Sequence, residues 1–137
     1  MKIYLAAKFG EKNEMREWAA FLKNDGHEVT STWLESKNQT DREAPEEVLV
    51  EAARQNLLDV LAADVLVTKS QEQGTVHTGG GRHVEFGYAV AEGMDIIVVG
   101  PKGEHVFHYL SGVQHVNNLD QLAGVLHEMD LTEAQRL

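Results

Sequence analysis

Ile96-Ile97-Val98-Val99-Gly100-Pro101 is the stretch from which the rest of the chain can be read. Consecutive branched apolar residues with no polar alternation need cover on both faces, and the Gly-Pro step ends the run. A strand of that kind belongs to a parallel sheet with helices above and below it. Towards the N-terminus, Gly93 closes a short helix marked by Val84, Tyr88 and Ala91, and Gly74 to Gly81 is a glycine-rich loop. Val65-Leu66-Val67 is a further strand. Leu49, Ala53, Leu57, Val60 and Leu61 form one stripe of an amphipathic helix, with Pro45 in its first turn. Glu35 to Glu43 is polar and aperiodic, a loop. Glu28 to Trp33 is strand-like, and Met15, Trp18, Ala19 and Leu22 lie at helical spacing ahead of Gly26. Ile3 to Ala7 opens as a strand. Towards the C-terminus, Val113 to Val116 reads as a fifth strand and Leu119 to Met129 as a last helix. The alternation predicts an α/β, Rossmann-like (flavodoxin-like) fold, a five-stranded parallel sheet with right-handed crossovers and helices on both faces. One domain spans residues 1–130, and 131–137 reads as a loose tail.

Composition narrows the function. A chain of 137 residues with 42% hydrophobic residues supports one core. A formal net charge of −10, from 22 acids against 12 bases, argues against binding a nucleic-acid polymer, which needs Lys and Arg to neutralise phosphates. A small anion needs one or two local donors and stays open. Without cysteine there is no disulfide, thiolate chemistry or Cys-based metal site. No apolar run reaches the ~20 residues of a membrane span. Met1 to Leu5 leads straight into folded-looking sequence without a signal peptide, so a cytoplasmic protein is expected. His105 and His108 are three apart, and His77 and His83 flank the glycine loop, but no ligand motif such as H-E-x-x-H joins them. Neither metal nor cofactor is expected.

Parallel sheets of this type bind ligands beyond the carboxyl ends of their strands. Lys8, Phe9 and Gly10 follow the first strand there, Trp33 the second, Thr78-Gly79-Gly80-Gly81 the third, and Pro101 to His108 the fourth. Glycine N–H groups together with a helix N-terminus form an anion-binding concavity, to which Arg82 adds a positive fork. Glu85 reads as a first-turn acid, kept ionised by the helix dipole and available as a nucleophile, or else as a simple capping acid. The glycines are neither a dinucleotide fingerprint, since they follow the third strand, nor a Walker motif, since no Gly-Lys-Ser/Thr follows.

Arg82-His83-Val84-Glu85-Phe86-Gly87-Tyr88-Ala89 resembles the signature of the nucleoside 2-deoxyribosyltransferase superfamily. Ile3-Tyr4-Leu5-Ala6-Ala7-Lys8-Phe9 is similar to that family's first strand and base-contacting loop, and Ala63 to Val67 to its third strand. Gly100-Pro101 followed by Val106 to Leu110 is similar to a phage and bacterial branch, so the resemblance spans roughly residues 3 to 125. It implies cleavage of the N-glycosidic bond of a 2′-deoxynucleoside or its monophosphate, with Glu85 as nucleophile and a covalent deoxyribosyl-enzyme intermediate that passes the sugar to another nucleobase. The family also holds monophosphate N-glycosidases, and a nucleotide-binding module without turnover is a third reading.

Where the family places an Asp to help the base leave, this chain has Asn56, and Asp59, one turn on, is the substitute expected from helix geometry. Asp64 reads as structural. Tyr4, Ala6, Lys8, Phe9, Trp33, Thr78, Gly80, Gly81, Arg82, His83 and His108 complete the expected substrate contacts. Phe9 and Trp33 offer rings to stack on a base, although Trp33 is equally suited to the core. Lys8 meets a 5′-phosphate or is a surface lysine, and His83 bonds the sugar or Glu85. A glycosyl intermediate must be shielded from water. With apolar His105 to Leu110 at the crevice, a homodimer or higher homo-oligomer is expected.

Overall fold

The computed structural model describes residues 1–36, 44–72 and 80–135. Strands β1 (Lys2–Ala6), β2 (Glu28–Val29), β3 (Val65–Lys69), β4 (Asp95–Val99) and β5 (Val113–Val116) form one parallel sheet in the order β2-β1-β3-β4-β5. Helices α1 (Lys12–Asn24), α2 (Glu46–Leu61), α3 (Gly81–Ala91) and α4 (Leu119–Gln135) surround it. The step from β1 to β2 crosses the sheet one way, and the steps from β2 to β3 and from β3 to β4 cross it the other way. Right-handed crossovers therefore put α1 on one face and α2 and α3 on the opposite face. The architecture expected from the sequence is the one observed.

The core lies where the apolar runs predicted it. Ile3 to Ala6, Val65 to Val67 and Ile96 to Val99 are buried in the three central strands. Met15, Trp18, Ala19 and Leu22 of α1 cover one face. Gly100 lets β4 end sharply: its φ is +116°, and a Cβ there would lie 2.8 Å from Ser70 Oγ.

Several local expectations are corrected. β2 stops at Val29, and Thr32–Leu34 coils into a 3-10 turn instead of continuing the strand. Leu5 shows why this is stable. Its backbone groups point to the side where β2 would have continued. Ser31 Oγ accepts the Leu5 N–H at 2.6 Å and Trp33 Nε1 donates to the Leu5 carbonyl at 2.8 Å, so side chains replace the missing ladder. Pro45 caps α2 from outside the helix rather than lying in its first turn.

On α2, Val60 is buried as expected, but Ala53 and Leu61 are exposed and Asp59 is buried. On α3 the buried residues are Arg82, Glu85, Phe86 and Ala89, while Val84 is exposed. Both helices turn polar groups towards the sheet, which apolar periodicity alone cannot detect. α4 runs on to Gln135, so the segment expected as a tail is largely helical.

Candidate active site

Tyr4 sits in the centre of β1 and is fully buried. Its hydroxyl donates a hydrogen bond to Glu85 Oε2. No described residue donates to the other carboxylate oxygen, Oε1. Glu85 is only 9% exposed. Burial pushes its carboxyl up to about 7, the Tyr4 hydrogen bond opposes that rise, and the charge of Asp59 adds to it. Burial and the Glu85 charge raise the Tyr4 phenol in turn, so Tyr4 stays protonated as a donor. Glu85 is the fifth residue of α3, beyond the first turn, which holds no acid. The expectation that the helix dipole keeps it ionised is therefore corrected, because that field fades within one turn and burial dominates.

Asp59 lies on the buried side of α2. One of its oxygens accepts from the Thr32 N–H at 3.0 Å and the Thr32 hydroxyl at 2.5 Å, and the other from Gln55 Nε2 at 2.8 Å. These bonds tie it to the turn after β2. Asn56 is one turn nearer the carboxyl edge of the sheet, because α2 starts there. Its Oδ1 is buried and has no hydrogen-bond partner. Asp64, as expected, is structural and accepts the Lys2 N–H at 2.8 Å. Between the Thr32–Leu34 turn and the start of α2 lies a cavity of about 550 Å³ lined by Glu35, Glu47, Glu51, Val48, Ala52 and Gln55 among others.

The remaining expected contacts divide. Ala6 is buried at the end of β1. Trp33 is buried and bonded to Leu5, so it takes the core role, and its ring lies 5.8 Å from that of the partly buried Phe9. Lys8 is half-buried and is not a free cation. Gly80 and Gly81 open α3, and a Cβ on either would face open space. Thr78 lies outside the described residues.

Arg82 does not present a free fork. It is 7% exposed, Nη1 donates to Glu104 Oε1 at 2.7 Å, and Nη2 donates to Glu104 Oε2. His83 lies against Glu104 at 4.0 Å and edge-on to His105 rather than reaching Glu85. His108 is 2% exposed, packed on Phe86 and His105, with Nδ1 accepting the Gly103 N–H at 3.4 Å. Burial, with His105 and His115 nearby, pushes its imidazole down to about 4. His108 is thus a neutral core residue rather than a substrate contact.

Sequence reasoning missed Glu104, Thr32 and Gln55. Glu104 pairs with Arg82 across a separation of 22 residues, which no local pattern encodes. Among the described residues no group of His, Asp and Glu could hold a metal ion, and no helix is long and apolar enough to cross a membrane.

The folded chain is similar to several solved structures. It superposes on a 2-deoxyribosyltransferase from Bacillus psychrosaccharolyticus with a TM-score of 0.68 and 18% identity, covering 90% of each chain. The chain shares the fold of that enzyme. The Clostridium botulinum CMP N-glycosidase BcmB matches with a TM-score of 0.58 and 21% identity, over 93% of this chain and 98% of that one. A conserved protein from Enterococcus faecalis V583 matches with a TM-score of 0.60 and 15% identity, over 94% and 98%. No protein-family model and no curated protein sequence matches the chain. The resemblance read from the sequence is consistent with these neighbours.

Proposed function

We propose that this protein cleaves the N-glycosidic bond of a 2′-deoxynucleoside through a covalent deoxyribosyl-Glu85 intermediate and passes the sugar to another nucleobase. The observation that carries this reading is the buried Glu85 carboxylate, oriented by Tyr4 with Oε1 left open. Oε1 attacks the anomeric carbon C1′ as the C1′–N bond breaks, and the base leaves with the bonding electron pair and takes up a proton. A ring nitrogen of a second base then attacks C1′ and displaces Glu85, so two inversions give overall retention. An anion beside the reacting carbon also stabilises an oxocarbenium-like transition state. With its carboxyl near pH 7, Glu85 is about half ionised at neutral pH.

Asn56 has a vacant acceptor and meets an N–H or O–H of the substrate. Asp59, held by Thr32 and Gln55, acts on the site through its charge. Phe9 offers its ring to the base. The likeness to a CMP N-glycosidase favours a second reading, hydrolysis of a nucleoside monophosphate. That reading puts the phosphate on Lys8, Arg82 and the glycine loop, and the engagement of Arg82 by Glu104 weighs against it.

Incubation with deoxynucleosides and their 5′-monophosphates, with and without a second free base, followed by chromatography, tests this. Transfer is the expected product, and hydrolysis alone supports the second reading. Binding without turnover leaves a nucleotide-binding module. Glu85→Ala should lose several orders of magnitude in turnover, and retained activity removes Glu85 as nucleophile.

The proposed assembly is a homodimer or larger. Val106, Phe107 and Tyr109 are 72%, 58% and 63% exposed in the connection after β4, an apolar surface that a second copy would cover. Light scattering at micromolar concentration should give at least a dimer, and Phe107→Asp should give a monomer. A fully active monomer refutes this.

A further inference from the structure

The carboxylate of Glu104 occupies a place built for an anion. Arg82 grips both of its oxygens, and the Gln71 N–H, just past β3, donates to Oε1 at 3.1 Å. His83 Nε2 stands 4.0 Å from Oε2. Arg82 is nine-tenths buried, so its fork has a fixed direction. Burial works against the Glu104 charge, but the bonds from Arg82 and the Gln71 N–H outweigh it and hold the carboxyl below its ordinary value. A planar guanidinium, a backbone N–H and a nearby imidazole are donors that suit a phosphate as well as a carboxylate. Arg82 and Glu85 share the sheet-facing side of α3, three residues or ~4.5 Å of rise apart. The anion site and the Glu85 carboxylate therefore both open from the same side of that helix.

We propose that Glu104 is a built-in stand-in for a phosphate, filling the anion site formed by Arg82 and the Gln71 N–H, and that it makes this chain select a nucleoside without a 5′-phosphate. The selection rests on the N-glycosidic function proposed above. The anion site does not, and it can be tested without turnover. A phosphate entering the intact protein must displace a carboxylate already held by Arg82 and bring a second negative charge beside it. With Glu104 neutral, the same donors face an empty valence.

The test compares the intact chain with Glu104→Gln and with Arg82→Met/Glu104→Gln. Each is titrated with inorganic phosphate by calorimetry, then assayed with a 2′-deoxynucleoside and its 5′-monophosphate. Glu104→Gln should bind phosphate where the intact chain and the double variant do not. Its monophosphate-to-nucleoside turnover ratio should rise ten- to a hundredfold, the range for a hydrogen bond to a charged group. Phosphate binding by the intact chain or by the double variant overturns the proposal, as does its absence from a folded Glu104→Gln. If Glu104→Gln unfolds because Arg82 is left unpaired, phosphate should restore its thermal transition, and failure of that rescue also overturns it. If phosphate binds as expected but neither nucleoside nor monophosphate turns over, the anion site stands and the N-glycosidic reading fails.

Discussion

Tyr4→Phe isolates what one hydroxyl does for Glu85. The ring stays in its fully buried place in β1, and the donor to Oε2 is removed. A hydrogen bond to a charged group is worth ~1.5–3 kcal/mol, and 1.36 kcal/mol corresponds to one pKa unit, so the Glu85 carboxyl should rise by ~1–2 units. Starting from about 7, it reaches about 8–9. If the ionised carboxylate is the nucleophile, its share at pH 7 falls from about half to roughly 1–10%, and kcat/KM falls ~5- to 50-fold. The loss should shrink to a few-fold above pH 9, where the carboxyl ionises regardless. The assay is the pH profile of kcat/KM for base exchange, followed by chromatography from pH 5.5 to 9.5. A loss of the same size at every pH, with the acidic midpoint unmoved, would refute the claim that Tyr4 acts by holding Glu85 ionised.

Glu85→Gln should abolish turnover yet stabilise the fold at alkaline pH. The folded carboxyl is raised from 4.5 to about 7, so its contribution is complete below about pH 4.5 and is lost as pH rises through 7, a difference of ~3 kcal/mol. Thermal transitions of intact chain and variant should coincide near pH 4.5 and differ by several degrees at pH 8; coincidence at both would contradict the burial cost. His108 works in the opposite direction. Its imidazole is depressed from 6.5 to about 4, so its stability is present above pH 6.5 and is lost as pH falls towards 4, by up to ~3 kcal/mol. His108→Gln should flatten that acid limb in a melting series, and an unchanged slope would place the acid sensitivity elsewhere. Asp59→Asn should shift the acidic limb of activity to lower pH, because the Asp59 charge raises Glu85. It should also cost ~1–3 kcal/mol in urea unfolding as the bonds from Thr32 and Gln55 weaken. A limb that stays in place would detach Asp59 from the site.

The fold was legible because its signals are local. Buried parallel strands show as unbroken runs such as Ile96 to Val99, and α1 shows as Met15, Trp18, Ala19 and Leu22. Glu85 was legible through its motif, and Tyr4 only as a strand residue that packs or reaches out. Their pairing joins β1 to α3 across 81 positions of sequence and follows from strand order, not from spacing. The same holds for Arg82, whose position at the head of a helix suggested a free phosphate fork. Glu104 arrives from the connection after β4, and the identity of a cation's partner is set by tertiary packing. The strand propensity of Thr30, Thr32 and Trp33 makes β2 look longer in the sequence than it is in the fold. The side chains of Ser31 and Trp33 take over the hydrogen bonds that a longer strand would have made.

Burial of a polar group does not by itself mark function in this chain. Arg82, Asp59 and His108 are as buried as Glu85, and each breaks the apolar pattern of its element. Their partners complete them: Glu104 fills the Arg82 fork, Thr32 and Gln55 fill Asp59, and Gly103 donates to His108. His115 has a bare Nδ1, but it donates through Nε2 to the His108 carbonyl, and a neutral imidazole keeps one nitrogen unprotonated. His105 also has a bare Nδ1, within the ring cluster after β4. Glu85 and Asn56 differ from these in lying on neighbouring helices of one sheet face, each with an oxygen to which no described residue donates. For the Asn56 Oδ1, which is buried without a donor, the cost is ~1–3 kcal/mol. On the proposed reading, a nucleoside would bring its anomeric carbon to Glu85 and an N–H or O–H to Asn56, and so remove that deficit.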